Sequence, residues 1–168
     1  MLSEKTERSA PLFIDSNIFI YAAGSAEDEE DSQLRDLKLA AKAIILALGG
    51  ERLHAVTSLV VLQEIVYFFH RWARKDKALV RTGKQVVSQA LALMAEVYPL
   101  RSSEFTRALT VYEPSKHDFN DLLIAEVMHS QGLTEILTAD RDYERFEEIK
   151  RVDPLMLVKQ LERTTEPD

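Results

Sequence analysis

Four acidic residues, Asp15, Glu64, Asp121 and Asp140, stand at points of the chain where a carboxylate is hard to accommodate without a partner. Asp15 closes the short apolar run Leu12, Phe13 and Ile14, and Asp140 follows the segment Glu135 to Thr138. Glu64 is embedded among Val60, Val61, Leu62, Ile65, Val66, Phe68 and Phe69. Helical spacing makes Val60, Val61 and Phe68 its nearest neighbours. Asp121 shares a helical face with Ile124, Ala125 and Met128. Carboxylates beside apolar stripes need compensation, and these faces carry few basic residues. A divalent cation would satisfy all four. Hard ions such as Mg²⁺ or Mn²⁺ take carboxylate and water oxygens, and an ion so held activates water and offsets charge growing on a phosphate. Phosphodiester cleavage needs both services and no protein nucleophile.

Each acid also has an ordinary reading. Asp15 can cap the helix that follows it. Asp118 can cap another, with Asp121 three positions into it. Glu64 can pair with a distant lysine or arginine, although burying an ion pair costs desolvation. Asp140 and Asp142 can be turn residues. These explanations must all hold together for the metal reading to fail.

The elements that would position these acids follow from periodicity and punctuation. Leu12 to Ile14 predicts a buried strand, with Ser16 or Asn17 capping a short helix to Ala23. Gly24 to Asp31 predicts an acidic loop. From Ser32 a helix is expected, with Leu34, Leu37, Leu39, Ala41, Ile45 and Leu48 as its apolar positions and Gly49-Gly50 as its end. A strand at Leu53 to Thr57 leads to Ser58, which opens a helix to about Arg74. Further helices are expected from about Asp76 to Ala95, from Ser102 or Ser103 to near Glu113-Pro114, and from Asp118 to about Gln131. Strands are expected at Val97 to Leu100, Glu135 to Thr138 and Ile149 to Val152. A helical turn covers Tyr143 to Phe146, and Pro154 starts a closing helix. Short apolar strands alternating with helices imply a three-layer α/β/α fold around a mainly parallel sheet. Sites in such sheets form beyond the carboxyl ends of strands, where strand order reverses. Asp15 and Asp140 would meet there if their strands are neighbours.

The chain has 168 residues, enough for one domain. That domain is expected over residues 11–162, between loose tails at 1–10 and 163–168. The absence of cysteine excludes thiolate metal sites and a cysteine nucleophile. The polar N-terminus lacks a signal-type apolar core, and no apolar run reaches the length of a membrane helix. A cytoplasmic protein is therefore expected. The net charge of -7 argues against a general nucleic-acid coat, which is usually basic. Carboxylates gathered around a cation would add to that negative charge. Basic residues concentrate between His70 and Lys84, where Arg71, Arg74 and Lys75 are candidates for holding RNA phosphates. Trp72 is a candidate for base stacking, whereas Tyr67, Phe68 and Phe69 read as core or dimer contacts. The four histidines show no metal-ligand spacing and read as structural, with His117 close enough in sequence to reach the site.

The segments FIDSNIFIYA, SLVVLQEIVY, NDLLIAEVMHSQG and EILTADRDYERF, in this order and at these separations, resemble the successive motifs of the PIN-domain nucleases. Within that family the likeness is to VapC-type toxins. The resemblance implies Asp15, Glu64, Asp121 and Asp140 as catalytic and metal-binding positions and Asp142 as an auxiliary acid at the same metal. Thr138, Ser16 or Asn17 would orient a ligand or water. Asp118, three residues before Asp121, competes for the third position; the run DLLIAEVM directly after the acid favours Asp121. The resemblance further implies Mg²⁺ or Mn²⁺ as cofactor, a homodimer, endoribonuclease activity on RNA, and a small antitoxin that blocks the site. The alternatives are a PIN nuclease acting in RNA processing or on structured DNA, and a noncatalytic binding module on the same scaffold. An aspartyl phosphatase is disfavoured, since such enzymes carry a second aspartate where this chain has Asn17.

Overall fold

The computed structural model describes residues 10–73 and 76–164. Five strands form one sheet: β1 (Leu12–Ile14), β2 (Ala55–Ser58), β3 (Glu96–Tyr98), β4 (Glu135–Leu137) and β5 (Lys150–Val152). Their spatial order is β3-β2-β1-β4-β5, and all four pairings are parallel. The strands are short because both faces of the sheet are covered; Phe13, Ile14, Ile136 and Leu137 are completely buried. Register sets Phe13 opposite Val56 on one side and Ile136 on the other. β1 and β4 are thus neighbours although the chain between them runs out to β3 and back. Strand order reverses at this pair.

Among the described residues, seven helices flank the sheet: α1 (Ser16–Ala23), α2 (Ser32–Gly49), α3 (Leu59–Ala73), α4 (Ala78–Leu93), α5 (Ser102–Val111), α6 (Phe119–Ser130) and α7 (Pro154–Arg163). α1 to α4 and α7 pack on one another in one layer, and α5 pairs with α6 in the other. Right-handed crossovers require this division, because the chain moves one way along the sheet from β1 to β3 and the opposite way from β3 back to β4, the crossover that carries α5 and α6. The result is the expected three-layer α/β/α fold, with a sheet that is parallel throughout. No helix among the described residues is long and apolar enough to cross a membrane.

Several local expectations are corrected. The cap of α1 is Asp15 itself, whose Oδ1 accepts from the Ser16 N–H at 2.7 Å. Neither Ser102 nor Ser103 caps α5; Glu104 in its first turn accepts from the Arg101 N–H at 2.7 Å instead. In α2, Leu39 points outward while Ala40, Ile44 and Ala47 join the buried face, because small residues let this helix sit close to its neighbours. After Gly49 and Gly50 it is Glu51, not glycine, that takes the left-handed conformation (φ 57°). The closing helix extends to Arg163, one residue beyond the expected domain end. Residues 1–9 and 165–168 of the expected tails lie outside the described residues.

One glycine is dictated by packing. A Cβ on Gly83 of α4 would stand 2.8 Å from the Cβ of Phe69 on α3. Phe69 is buried there, so the α3–α4 hairpin closes only with hydrogen at position 83.

Candidate active site

A groove of about 1070 Å³ opens beyond the carboxyl ends of β1 and β4 and is lined by Asp15, Glu64, Asp118, Asp121, Asp140 and Asp142. Asp15 and Asp140 come from the two strand ends, Glu64 from the middle of α3, and Asp121 from the first turn of α6. Asp118 caps α6, its Oδ1 accepting from the Asn120 N–H at 2.8 Å. Asp140 likewise caps the short 3₁₀ turn Arg141–Arg145 by accepting from the Asp142 N–H at 2.8 Å. Asp142 is exposed and pairs with Arg145 at 3.0 Å. Every acid singled out from the sequence therefore faces the same space.

Asp15 is held by a joint between the strands. The backbone N–H of Asp15 donates to the Leu137 carbonyl at 3.1 Å, which extends the β1–β4 pairing past the strand ends. Its Oδ2 accepts from the Thr138 hydroxyl at 2.6 Å and from Asn17 Nδ2 at 2.7 Å. Asn17 also donates to Thr138 Oγ1 at 2.7 Å, and its Oδ1 accepts from the Ala139 N–H at 3.1 Å. The Thr138 oxygen in turn accepts from the Asp140 N–H at 3.0 Å. Asn17 and Thr138, expected to orient a ligand or water, here orient the two strand-end acids. Arg151 supports the joint from β5, donating to the Thr138 carbonyl at 2.9 Å.

The electrostatics of the groove are one-sided. Burial raises the Asp15 carboxyl above its ordinary range, and the nearby Asp140 charge adds to this against hydrogen bonds from Thr138 and Ser16. Glu64 is pushed up to about 7, first by desolvation and then by the charge of Asp15. Asp121 is also pushed up to about 7, by desolvation and then by Asp118, Asp140, Asp15 and Glu64 in turn. No cation among the described residues pairs with Asp15, Glu64, Asp118, Asp121 or Asp140. The donors are hard oxygens around an uncompensated space, which is the chemistry that suits a divalent cation. They are not yet a closed chelate. Among the described residues no three acids or histidines stand together as a ready ligand set. Both Asp15 oxygens are occupied by donors, and Asp118 and Asp140 are tied to the turns they cap.

The far wall of the groove is aromatic. Tyr67 and Phe68 on α3 are 66% and 39% exposed, and both line it together with Arg71, Trp72, Phe105 and Phe119. Of the three aromatics read as core or dimer contacts, only Phe69 is in the core. Of the three basic candidates, Arg71 lines the groove; Arg74 and Lys75 lie outside the described residues. His117 does not line the groove. It stacks on Phe146 with ring centroids 4.7 Å apart and faces a second cavity.

A model of the PIN domain matches residues 12–149. The chain belongs to the PIN domain family. This is the nuclease family that its four motifs resemble. No curated protein sequence matches the chain, but solved structures share its fold. One of them is VapC20 of Mycobacterium tuberculosis, described as a toxin cleaving the sarcin–ricin loop. That chain superposes with a TM-score of 0.59 at 16% identity, over 82% of this chain and 96% of the other. VapBC2 of Rickettsia felis, bound to a DNA fragment from its promoter, gives 0.56 at 15% identity over 86% and 98%. DNA-bound VapBC of Salmonella typhimurium gives 0.51 at 18% identity over 87% and 99%.

One residue of this PIN domain escaped the sequence reading as a site residue. Tyr143, in the 3₁₀ turn after Asp140, is completely buried. Its hydroxyl has no hydrogen-bond partner among the described residues. The phenol is held well above its ordinary range by burial and then by the charges of Asp15, Asp121 and Glu64. The only signal in the sequence was a hydroxyl on an aromatic ring three positions after an acid.

Proposed function

We propose that this chain is a Mg²⁺- or Mn²⁺-dependent endoribonuclease of the cytoplasm, and the toxin of a toxin–antitoxin pair. The observation that carries this reading is the pair Glu64 and Asp121, half-buried at a strand-order reversal and raised to about 7 without a compensating cation. Uncompensated buried carboxylates are costly. Their retention beside Asp15 makes sense if a cation completes the groove.

Asp15, Glu64, Asp121 and Asp140 would hold the ion. When bound, it supplies an activated water and charge stabilisation at a phosphate. The chain's own residues do the rest. Asn17 and Thr138 fix Asp15. Asp118 caps α6 and so sets the first turn that presents Asp121. Asp142 adds a carboxylate at the rim. Arg71, with Arg74 and Lys75 after it in the chain, meets the phosphate backbone. Tyr67 and Phe68 offer flat faces on which unpaired bases stack, which favours single-stranded RNA over duplex. The toxin reading is supported by the fold shared with VapC20 and with VapBC pairs. It implies a homodimer and a small antitoxin that seals the groove.

The test is direct. Purified chain should cut single-stranded RNA with Mg²⁺ or Mn²⁺, EDTA should stop it, and duplex DNA should survive. Cleavage that persists in EDTA, or in Asp15→Asn, would sink the proposal. A short reading frame for a DNA-binding protein next to the gene would identify the antitoxin, and co-expression should silence the activity.

A further inference from the structure

The edge strand β5 carries an arginine whose side chain is only 12% exposed. Arg151 lies opposite Ile136 in the register of β4 and β5. A guanidinium withdrawn from water needs acceptors for its fork of donors, and Arg151 has one for each nitrogen. Nη1 donates to the Thr138 carbonyl at 2.9 Å, Nε to Glu144 at 3.0 Å and Nη2 to Asp153 at 3.0 Å. These acceptors sit on three different pieces of structure: the residue just past β4, the 3₁₀ turn Arg141–Arg145 and the cap of α7.

The β4–β5 ladder explains why a donor is wanted at Thr138. The Lys150 N–H donates to the Thr134 carbonyl at 2.7 Å, and the Thr138 N–H donates to the Val152 carbonyl at 3.3 Å. In a parallel ladder every second residue of one strand serves every second residue of the other. The next bond would therefore run from the N–H of residue 154 to the Thr138 carbonyl. Residue 154 is proline, which has no N–H. Pro154 opens α7, where its missing donor costs the helix nothing, but it leaves the sheet one donor short. The Arg151 guanidinium stands in that place.

Thr138 is the residue on which both strand-end acids hang. Its hydroxyl donates to Asp15 Oδ2 at 2.6 Å and accepts from the Asp140 N–H at 3.0 Å. Through Glu144 the same guanidinium also holds the turn whose Asp142 N–H donates to Asp140 at 2.8 Å. We infer that Arg151 is a positioning residue for Asp15 and Asp140: it replaces the ladder bond that Pro154 cannot make, and so fixes how the two carboxylates are presented to the groove. This rests on the metal-dependent reading of the groove. Arg151 does not line the groove; it acts on the acids from behind, through Thr138 and the turn. Outer partners of metal ligands are worth about 10- to 100-fold in affinity or activity.

The experiment compares the full chain with Arg151→Lys, with Arg151→Lys plus Pro154→Ala, and with Asp153→Ala. Lysine keeps the positive charge beside Glu144 and Asp153, but a single ammonium cannot serve acceptors on three elements. Mn²⁺ titration of Arg151→Lys by calorimetry should show binding weakened by about 10-fold. RNA cleavage at saturating Mn²⁺ should lose about 10-fold in kcat with KM unchanged. Adding Pro154→Ala returns an N–H to the ladder position and should recover part of the Mn²⁺ affinity. Asp153→Ala removes the α7 cap and one partner of Arg151; it should lower the melting temperature while Mn²⁺ affinity and kcat stay within about twofold of the parent. Parent-like affinity and kcat in Arg151→Lys would overturn the proposal, as would a double variant no better than Arg151→Lys. An Asp153→Ala loss as large as that of Arg151→Lys, or an Arg151→Lys chain that does not fold, would overturn it too, since the arginine would then serve the fold. A parent chain that neither takes up Mn²⁺ nor cuts RNA removes the proposed function itself, a result read before the variants are tested.

Discussion

Two hollows in this protein are lined by acids, and they treat them differently. The second cavity, of about 560 Å³, lies between the end of α5, α6 and the segment around Phe146. Four glutamates line it, and three of them face a basic side chain: Glu113 with Lys116 at 2.8 Å, Glu126 with Arg107 at 2.7 Å, and Glu148 with His129 at 3.1 Å. In the groove at the strand ends only Asp142, at the rim, has a cation, Arg145; among the described residues Asp15, Glu64, Asp118, Asp121 and Asp140 have only hydrogen-bond donors and one another. Both regions have concavity and carboxylates. What separates them is whether the charge is balanced inside the protein. An acid balanced locally is surface chemistry of small energetic weight. An acid left unbalanced at a strand-order reversal implies something that arrives from outside.

The comparison breaks first at the strand-end acids. Asp15→Asn or Asp121→Asn should lower the cleavage rate by about 10³-fold or more with the far-ultraviolet spectrum unchanged, and the metal-free melting temperature of Asp121→Asn should stay at or above that of the parent. Amides relieve the repulsion that raises these carboxyls. If Asp118→Asn is the damaging change and Asp121→Asn is harmless, the third position belongs to Asp118.

Next in size are the groove's aromatic and basic walls. Tyr67→Ala should weaken single-stranded RNA binding by about 10-fold, as expected for removal of one stacking surface. Alanine at Arg71, Arg74 and Lys75 should flatten the salt dependence of binding by roughly 0.7 in the log–log slope for each phosphate no longer neutralised. An unchanged slope, measured by fluorescence anisotropy across ionic strengths, rejects that role for the segment.

A smaller effect concerns pH. Glu64 and Asp121 sit at about 7 rather than at 4.5 and 3.8. Between those values the folded chain keeps protons that the unfolded chain has released, so stability is greatest at the acidic end and falls as pH rises. In EDTA, denaturant midpoints should decline from about pH 4 to about pH 7 and then level off. Mn²⁺ should flatten or reverse the decline, because it binds the ionised form. A midpoint that rises over this range in EDTA contradicts the unbalanced groove.

The smallest expected effect comes from the second cavity. Glu126→Gln and Glu148→Gln should leave cleavage within about twofold and cost less than about 1 kcal/mol, since the Glu148 pair is exposed and the Glu126 pair is open to solvent on its arginine side. A large fall in activity there would erase the contrast between the two hollows.

The strands and the order of the motifs were legible because both depend on short-range pattern. Leu12 to Ile14 and Glu135 to Leu137 are apolar runs with an acid just past the end, and the reversal rule alone brings Asp15 and Asp140 together. Helix faces were less legible. Periodicity places Leu39 inside, yet the chain buries Ala40 and Ala47 instead, because close helix packing selects small residues as well as large ones. The serines at the start of α5 do not cap it because the helix begins one residue earlier than they would need, with Arg101 at the cap position and its N–H taken by Glu104. Tyr67 and Phe68 read as core or dimer contacts from the sequence; only the direction of α3 over the groove shows that they are exposed rather than core. Tyr143 was invisible for a simpler reason. An orphan hydroxyl is a property of its surroundings, and no spacing rule reports it.

The hydrogen bond from Asn17 to Thr138 joins positions 121 residues apart. It closes a circuit beside the strand-end acids, and the intervening polypeptide is topologically a detour that leaves this junction and returns to it. Length added or removed along that detour, in the Gly24 to Asp31 loop for instance, does not alter the bond angles at the junction. The outer helices of the detour can therefore vary in length while the two strand-end acids stay held by the same short network of hydrogen bonds.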